Sequence, residues 1–281
     1  MKKRTKIELI ILLAFILLII TMNLFGNALK VEHYSLTSEK LTEPVRIVFV
    51  TDLHNCTYGG KDQSGIWKKL QAQKPDFVLF GGDMIDQYGG TQNALKLMEM
   101  TNEIYPCAYT AGNHEGMRDD EENFYAEVEA LGIPVLHGDY IDIMANGQLI
   151  RISGFIHESK SYSQFQSACQ SLENDSYNIL LVHQPEQFEP AVLECTQNGV
   201  KVDLVLSGHA HGGQWRIPGI LEQGLLAPDQ GIFPEFTGGQ RTYQGSVQIV
   251  SRGLAKPLRM FLIPRIFNRP ELSVIEILPN K

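Results

Sequence analysis

The chain has 281 residues, of which 43% are hydrophobic and 20% charged, so it can bury a sizeable core and is not globally disordered. The formal net charge is −8, and because residues 1–26 carry +3, the rest of the chain carries −11. So acidic a body argues against nucleic acid as a partner, because sequence-independent binding of nucleic acid needs a basic surface.

The N-terminus predicts a membrane anchor. Residues 1–6 form a basic flank, and residues 7–26 form an almost uninterrupted apolar run. Twenty helical residues extend about 30 Å, which matches the hydrocarbon core of a bilayer. Because basic flanks stay in the cytoplasm, the sequence predicts a single-pass transmembrane signal anchor in the cell membrane, with the bulk of the chain extracytoplasmic. Two alternatives stay open: a signal peptide cleaved near Gly26-Asn27-Ala28, and a buried helix of the main domain.

Residues 27–44 are interpreted as a stalk or an edge strand, and residues 45–281 as one domain. In that domain, short apolar runs end in clusters of Asp, His, Asn or Gly, at 45–50, 77–80, 107–110, 179–182 and 204–206. Such runs predict buried strands, and further strands are predicted at 149–155 and 246–250. Helices are predicted between strands at 66–73 and 121–131. The alternation of strands and helices predicts an α/β fold.

The side chains that follow the five runs are typical metal ligands. They are Asp52, His54, Asp83, Asn113, His114, His183, His209 and His211. Function in open α/β sheets gathers at the carboxyl ends of the strands, so we expect these side chains to lie close together. A mixture of oxygen and imidazole ligands without thiolate favours Mn, Fe or Zn. A bridging carboxylate would place two ions about 3.5–4 Å apart, which suits displacement at phosphorus. The four cysteines are too scattered for a disulfide framework.

These motifs, in this order, resemble the calcineurin-like metallophosphoesterase superfamily. The matching motifs are Asp52-x-His54, Gly82-Asp83, Gly112-Asn113-His114-Glu115, His183 and Gly208-His209-x-His211. The extended block His209–Gln214, the sequence Ser251-Arg252-Gly253-Leu254 and the N-terminal anchor look more like the membrane-associated phosphohydrolase branch. The resemblance implies a layered α/β/β/α sandwich that follows the transmembrane helix and holds two divalent metal ions.

The resemblance also implies a role for each motif residue. The first metal would be bound by Asp52, His54 and His211, and the second by Asn113, His183 and His209. Asp83 would bridge the two ions. His114 would be catalytic without binding metal: it would face the phosphoryl group, stabilise developing charge or protonate the leaving oxygen. A hydroxide bridging the ions would attack the phosphorus atom of a phosphomonoester, phosphodiester or pyrophosphate.

Several alternatives stay open at this stage. A metal-binding or receptor module without turnover could use the same fold, and a nuclease could use the same chemistry, although the acidic body disfavours it. The substrate would be a phosphorylated small molecule or a lipid-linked or envelope phosphate. Asp86 is interpreted as a turn or helix-cap residue, with a hydrogen-bond acceptor beside the site as the alternative. Arg252 would contact phosphate, or it would belong to a basic tail that balances the acidic body or faces anionic lipid headgroups. Trp215 would pack or line the entrance.

Overall fold

The computed structural model describes residues 3–26, 28–155, 162–256 and 265–280, without the side chains of residues 3, 4, 18, 19, 22–25 and 162. Asn27, in the middle of the candidate cleavage site, therefore lies outside the described residues. The predicted N-terminal helix is present as α1, Lys3–Gly26. The transmembrane part of that prediction is not supported, since among the described residues no helix has the length and apolarity of a membrane span.

Six more α-helices, two short 3-10 helices (Pro185–Gln187 and His211–Gly213) and thirteen strands are found in the described residues. The helices are α2 (Ser64–Gln71), α3 (Gln92–Asn102), α4 (Asn113–Gly116), α5 (Glu121–Ala130), α6 (Tyr162–Gln170) and α7 (Phe188–Gln197). The strands are β1 (Lys30–Ser38), β2 (Val45–Val50), β3 (Phe77–Gly81), β4 (Cys107–Thr110), β5 (Tyr140–Ala145), β6 (Gln148–Gly154), β7 (Tyr177–Leu181), β8 (Leu204–Ser207), β9 (Leu226–Ala227), β10 (Gly231–Ile232), β11 (Gly239–Tyr243), β12 (Ser246–Val250) and β13 (Glu271–Pro279).

Two mixed sheets pack face to face, with helices on their outer faces. One sheet has the order β1-β13-β2-β3-β4 and the other the order β11-β12-β8-β7-β6-β5. Alternate residues of each strand point to opposite faces. Phe49 of β2 and Ile179 of β7 therefore share the core between the sheets. Val48 packs toward α2, α3 and α5, while Leu180 packs toward α6 and α7. The α/β prediction is confirmed, and the elements form four layers.

The parallel strands carry the site. In the first sheet β2, β3 and β4 run parallel, and in the second β6, β7, β8 and β12 do. These strands match the predicted apolar runs to within two residues, and the predicted helices exist as α2 and α5. The last strand, β13, was not predicted: it lies between β1 and β2, parallel to the first and antiparallel to the second. β1 forms one edge of its sheet.

Candidate metal centre

Every predicted ligand follows the carboxyl end of a parallel strand. Asp52 comes two residues after β2, Asp83 two residues after β3, and Asn113 begins α4 shortly after β4. From the second sheet, His183 comes two residues after β7 and His209 two residues after β8. Because both sheets present these ends at the same edge, side chains from distant parts of the chain meet there.

The side chains form two adjacent groups. Asp52, His54 and His211 place ligand atoms within 4.8 Å of one another, and so do Asp83, His183 and His209. Asp83 Oδ2 lies 3.1 Å from His183 Nε2 and 3.8 Å from His54 Nε2, so one carboxylate oxygen faces both groups.

The donor atoms fit metal ions. Five of the buried polar atoms without a hydrogen-bond partner belong to this cluster: His54 Nε2, Asp83 Oδ2, Asn113 Oδ1, His183 Nε2 and His211 Nδ1. Burying a polar atom without a partner destabilises the fold, unless a cation or another group interacts with that atom. Imidazole nitrogens with carboxylate and amide oxygens suit Mn, Fe or Zn, so the residues present fit a divalent metal.

The backbone is strained at the ligands. Asp52, His54, Asp83, His209 and His211 all have positive φ angles, between 46° and 66°. Each non-glycine residue in this left-handed region costs about 1–3 kcal/mol, and such residues cluster at functional sites. Five of the seven predicted ligands share this strain, which indicates that orienting these side chains lowers the stability of the fold.

Neighbouring groups hold the ligands in place. The buried carboxylate of Glu115 accepts hydrogen bonds from the backbone N–H groups of Asp83 and Gly112, both at 2.8 Å. Glu115 therefore fixes the loops that carry Asp83 and Asn113. His183 Nδ1 lies 2.7 Å from the carbonyl oxygen of Gly81, to which a protonated Nδ1 donates. With Nδ1 engaged in this way, Nε2 is the ring nitrogen left to bind a metal.

His114 is positioned by Asp86. Its Nδ1 lies 2.9 Å from Asp86 Oδ1, whereas its Nε2 lies 4.0 Å from Asp83 Oδ2. Burial lowers the pKa of His114, but the hydrogen bond to Asp86 and the charges of Asp83, Asp86 and Glu115 outweigh it and raise the pKa to about 9. Asp86 is thus the hydrogen-bond acceptor of the alternative interpretation. His54, Asp86 and His114 also place possible ligand atoms within 4.8 Å of one another.

One residue of the site, Asp229, was not predicted from the sequence. Asp229 Oδ2 lies 2.9 Å from His209 Nε2 and accepts a hydrogen bond of 2.8 Å from Gln184 Nε2. A carboxylate on the outer nitrogen of a ligating histidine fixes the ring and leaves the inner nitrogen for the metal. Asp229 lies between β9 and β10, far from any strand-end motif, so no sequence signal pointed to it.

Arg252 belongs to the scaffold. Its guanidinium donates to Glu271 Oε2 at 2.6 Å and to Glu32 Oε2 at 2.9 Å. The carboxylate of Glu271 is buried, so this ion pair ties the loop after β12 to the start of β13. Of the interpretations of Arg252, the structure supports charge balance within the domain.

Comparison with known proteins identifies the family. The family model for calcineurin-like phosphoesterases matches residues 45–213, which is more than half of the chain. The chain therefore belongs to the calcineurin-like phosphoesterase family, and it is a metal-dependent phosphohydrolase.

Individual relatives are distant. The chain is 27% identical over 194 residues to the protein YpbG of Bacillus subtilis, covering 68% of this chain and 70% of the relative. It is 29% identical over 240 residues to the metallophosphoesterase YkuE of the same organism, covering 83% and 78%. A solved structure of the 5′-nucleotidase of Candida albicans is similar with a TM-score of 0.46 and 15% identity, covering 80% of this chain and 47% of the other.

Proposed function

We propose that the two groups hold two divalent ions and that Asp83 binds both. The observation that carries this proposal is the position of Asp83 Oδ2, 3.1 Å from His183 Nε2 and 3.8 Å from His54 Nε2. The first ion would be held by Asp52, His54 and His211, and the second by Asn113, His183 and His209. Bound there, the ions would supply Lewis-acid stabilisation of a phosphoryl group and lower the pKa of water.

The protein's own part in the chemistry centres on His114. Its hydrogen bond to Asp86 fixes the ring and turns Nε2 toward Asp83. The side chain is 28% exposed, so a phosphoester at the site can reach it. A donor fixed in this way stabilises charge that develops on the phosphoryl or leaving oxygen, without reorganising during the reaction.

The test compares three substrates on one protein. The full chain, loaded with Mn, would be assayed with p-nitrophenyl phosphate, bis-p-nitrophenyl phosphate and a pyrophosphate-linked lipid. Asp83→Asn removes the shared carboxylate, and Asp175→Asn makes the same change at an exposed position before β7. We expect metal-dependent turnover that Asp83→Asn abolishes and Asp175→Asn retains. Equal turnover in the two variants would overturn the proposal.

We also propose that α1 holds the domain at the cell membrane, with the domain outside the cytoplasm. Ten large apolar side chains between Ile7 and Ile20 are exposed, and because most are consecutive they cover all sides of the helix. The described domain offers them no apolar partner, whereas a bilayer would bury them. The basic flank before the helix supports the orientation.

Cell fractionation tests this location. We expect the full chain to stay with membranes during alkaline carbonate washing, and its domain to be degraded when protease is added to spheroplasts. Release by carbonate, or protection from protease, would contradict it. At that location the substrate would be a phosphorylated lipid or a small phosphoester of the envelope.

A further inference from the structure

Exposed hydrophobic side chains lie on the loops that carry or follow residues of the candidate metal centre. We define the apolar rim as Tyr88, Met117, Trp215, Ile217, Ile220 and Phe233, all of them exposed. Ile220 is 76% and Phe233 69% exposed, in a domain whose other large apolar side chains are mostly buried. Exposed apolar groups that gather in one region mark an interaction surface, whereas scattered ones need no explanation.

The rim follows the site residues along the chain. Tyr88 comes two residues after Asp86, and Met117 three residues after His114. The backbone N–H of Met117 donates to the carbonyl oxygen of Asn113 at 3.1 Å, so this rim residue is directly attached to α4.

The second half of the rim lies on the loop that carries Asp229. This loop begins at Trp215, four residues after His211, and reaches Phe233, four residues after Asp229. The backbone N–H of Phe233 donates to the carbonyl oxygen of Leu225 at 2.8 Å, which folds the loop back on itself.

α1 leaves the domain at the same edge. β13 runs antiparallel to β2, and β1 runs parallel to β13, so the start of β1 lies at the carboxyl end of β2, where Asp52 is. Just before β1, the carbonyl oxygen of Ala28 accepts a hydrogen bond of 2.7 Å from Arg269. The segment before Arg269 pairs in turn with the rim loop, since Arg216 N–H donates to Ile266 O at 2.9 Å. The exit of α1, the rim and the metal centre thus share one side of the molecule.

We propose that the apolar rim docks on the bilayer that holds α1, so that the metal centre opens toward the phosphate of a membrane lipid. This inference rests on the proposed function and names its substrate class, a phosphorylated lipid within the membrane. Tyr and Trp prefer the headgroup level of a bilayer, and the rim has one of each. The rim residues stand on separate loops, a surface that fluid lipid can follow without a complementary protein shape.

Apolar contact, rather than charge, would supply the binding. Glu186, Glu189 and Glu235 line the same cavity as Phe233, and Arg241 is the basic residue of that lining. This part of the surface gains little from anionic headgroups. Zwitterionic phosphatidylcholine is therefore the appropriate test membrane.

The first test measures contact without using activity. The chain has two tryptophans, so Trp67→Phe leaves Trp215 as the single tryptophan, whose emission is excited selectively over that of the tyrosines. The full chain with this change would be placed in phosphatidylcholine nanodiscs with and without brominated acyl chains. We expect brominated lipid to quench the emission of Trp215 by about twofold or more, because the side chain lies at the interface. Unchanged emission would overturn the proposal.

The second test compares lipid and soluble substrates. The rim variant, Ile220→Ser with Phe233→Ser, is matched by Ile104→Ser with Met144→Ser, two exposed apolar positions near the amino ends of β4 and β6. Turnover would be measured on dioleoyl phosphatidic acid in nanodiscs and on p-nitrophenyl phosphate. We expect the ratio of lipid to soluble turnover to fall about tenfold in the rim variant and to stay constant in the control.

The outcomes separate the two proposals. An unchanged ratio in the rim variant, or an equal loss on both substrates, would overturn docking. A rim variant that changes the oligomeric state but not Trp215 quenching would assign the rim to contact between copies, and would also overturn docking. If the unaltered chain hydrolyses neither substrate, the proposed function fails, and the quenching experiment alone decides on docking.

Discussion

Replacing Gly253 by alanine should disrupt the first metal set without touching a ligand. Gly253 has a φ of +67°, and an added Cβ would lie 2.6 Å from both Cβ and Oδ2 of Asp52. Ordinary contact between such atoms requires about 3.5–4.0 Å, so Asp52 must move by about 1 Å. Metal–ligand distances tolerate only about 0.2 Å, and disturbing the groups that orient a ligand lowers metal affinity by about 10–100-fold. We therefore expect about 10–100-fold weaker binding of the first ion.

Gly199→Ala is the matched control. Gly199 has a similar φ of +75°, but an added Cβ would meet no heavy atom within 4 Å. Both variants carry the cost of a left-handed alanine, about 1–2 kcal/mol, and both should unfold at a slightly lower temperature. Calorimetric titration of the full chain with Mn should reveal the weakened site in Gly253→Ala alone. Equal Mn affinities in the two variants would show that the added Cβ at position 253 does not displace Asp52 as a ligand.

Three further predictions concern single side chains. His114→Ala should keep nearly normal metal content, measured by elemental analysis, and lower kcat by about 10²–10⁴-fold; loss of metal would make His114 a ligand. Asp229→Ala should weaken the second ion about 10–100-fold in Mn titrations, because His209 loses its orienting carboxylate, and Asp229→Asn should restore part of that affinity. Burial lowers the pKa of His183, but the charge and hydrogen bond of Asp83, the charge of Asp52 and the hydrogen bond to Gly81 together outweigh it and raise the pKa to about 10. The ring is therefore protonated at neutral pH in the metal-free protein, and Mn must displace that proton, so the affinity for Mn should rise with pH between 6 and 8. Calorimetry in buffers of different ionisation enthalpy should show that Mn binding releases a proton. Binding of Mn that is independent of pH and releases no proton would contradict this prediction.

The sequence predicts those parts of the fold that local pattern determines. The runs that became β2, β3, β4, β7 and β8 are buried on both faces, and such strands are continuous apolar segments that end where polar loop residues begin. The predicted ligands lie at those ends, so their convergence follows from the parallel arrangement.

The parts that were missed depend on contacts between distant segments. β13 pairs with β1 across more than 200 residues, and nothing within Glu271–Pro279 specifies an insertion between β1 and β2. Asp229 reaches His209 only because the loop after Trp215 folds back over the site. The same loop folding brings Phe233 to the apolar rim, which no linear pattern indicated.

Electron paramagnetic resonance of the Mn-loaded full chain shows whether the carboxylate of Asp83 joins two ions. Two ions joined by one carboxylate are magnetically coupled, so we expect two Mn ions per chain and the spectrum of an exchange-coupled pair. Asp83→Asn should convert it to the spectrum of isolated Mn. The spectrum of isolated Mn in the unaltered protein at saturation would show that Asp83 does not join two ions.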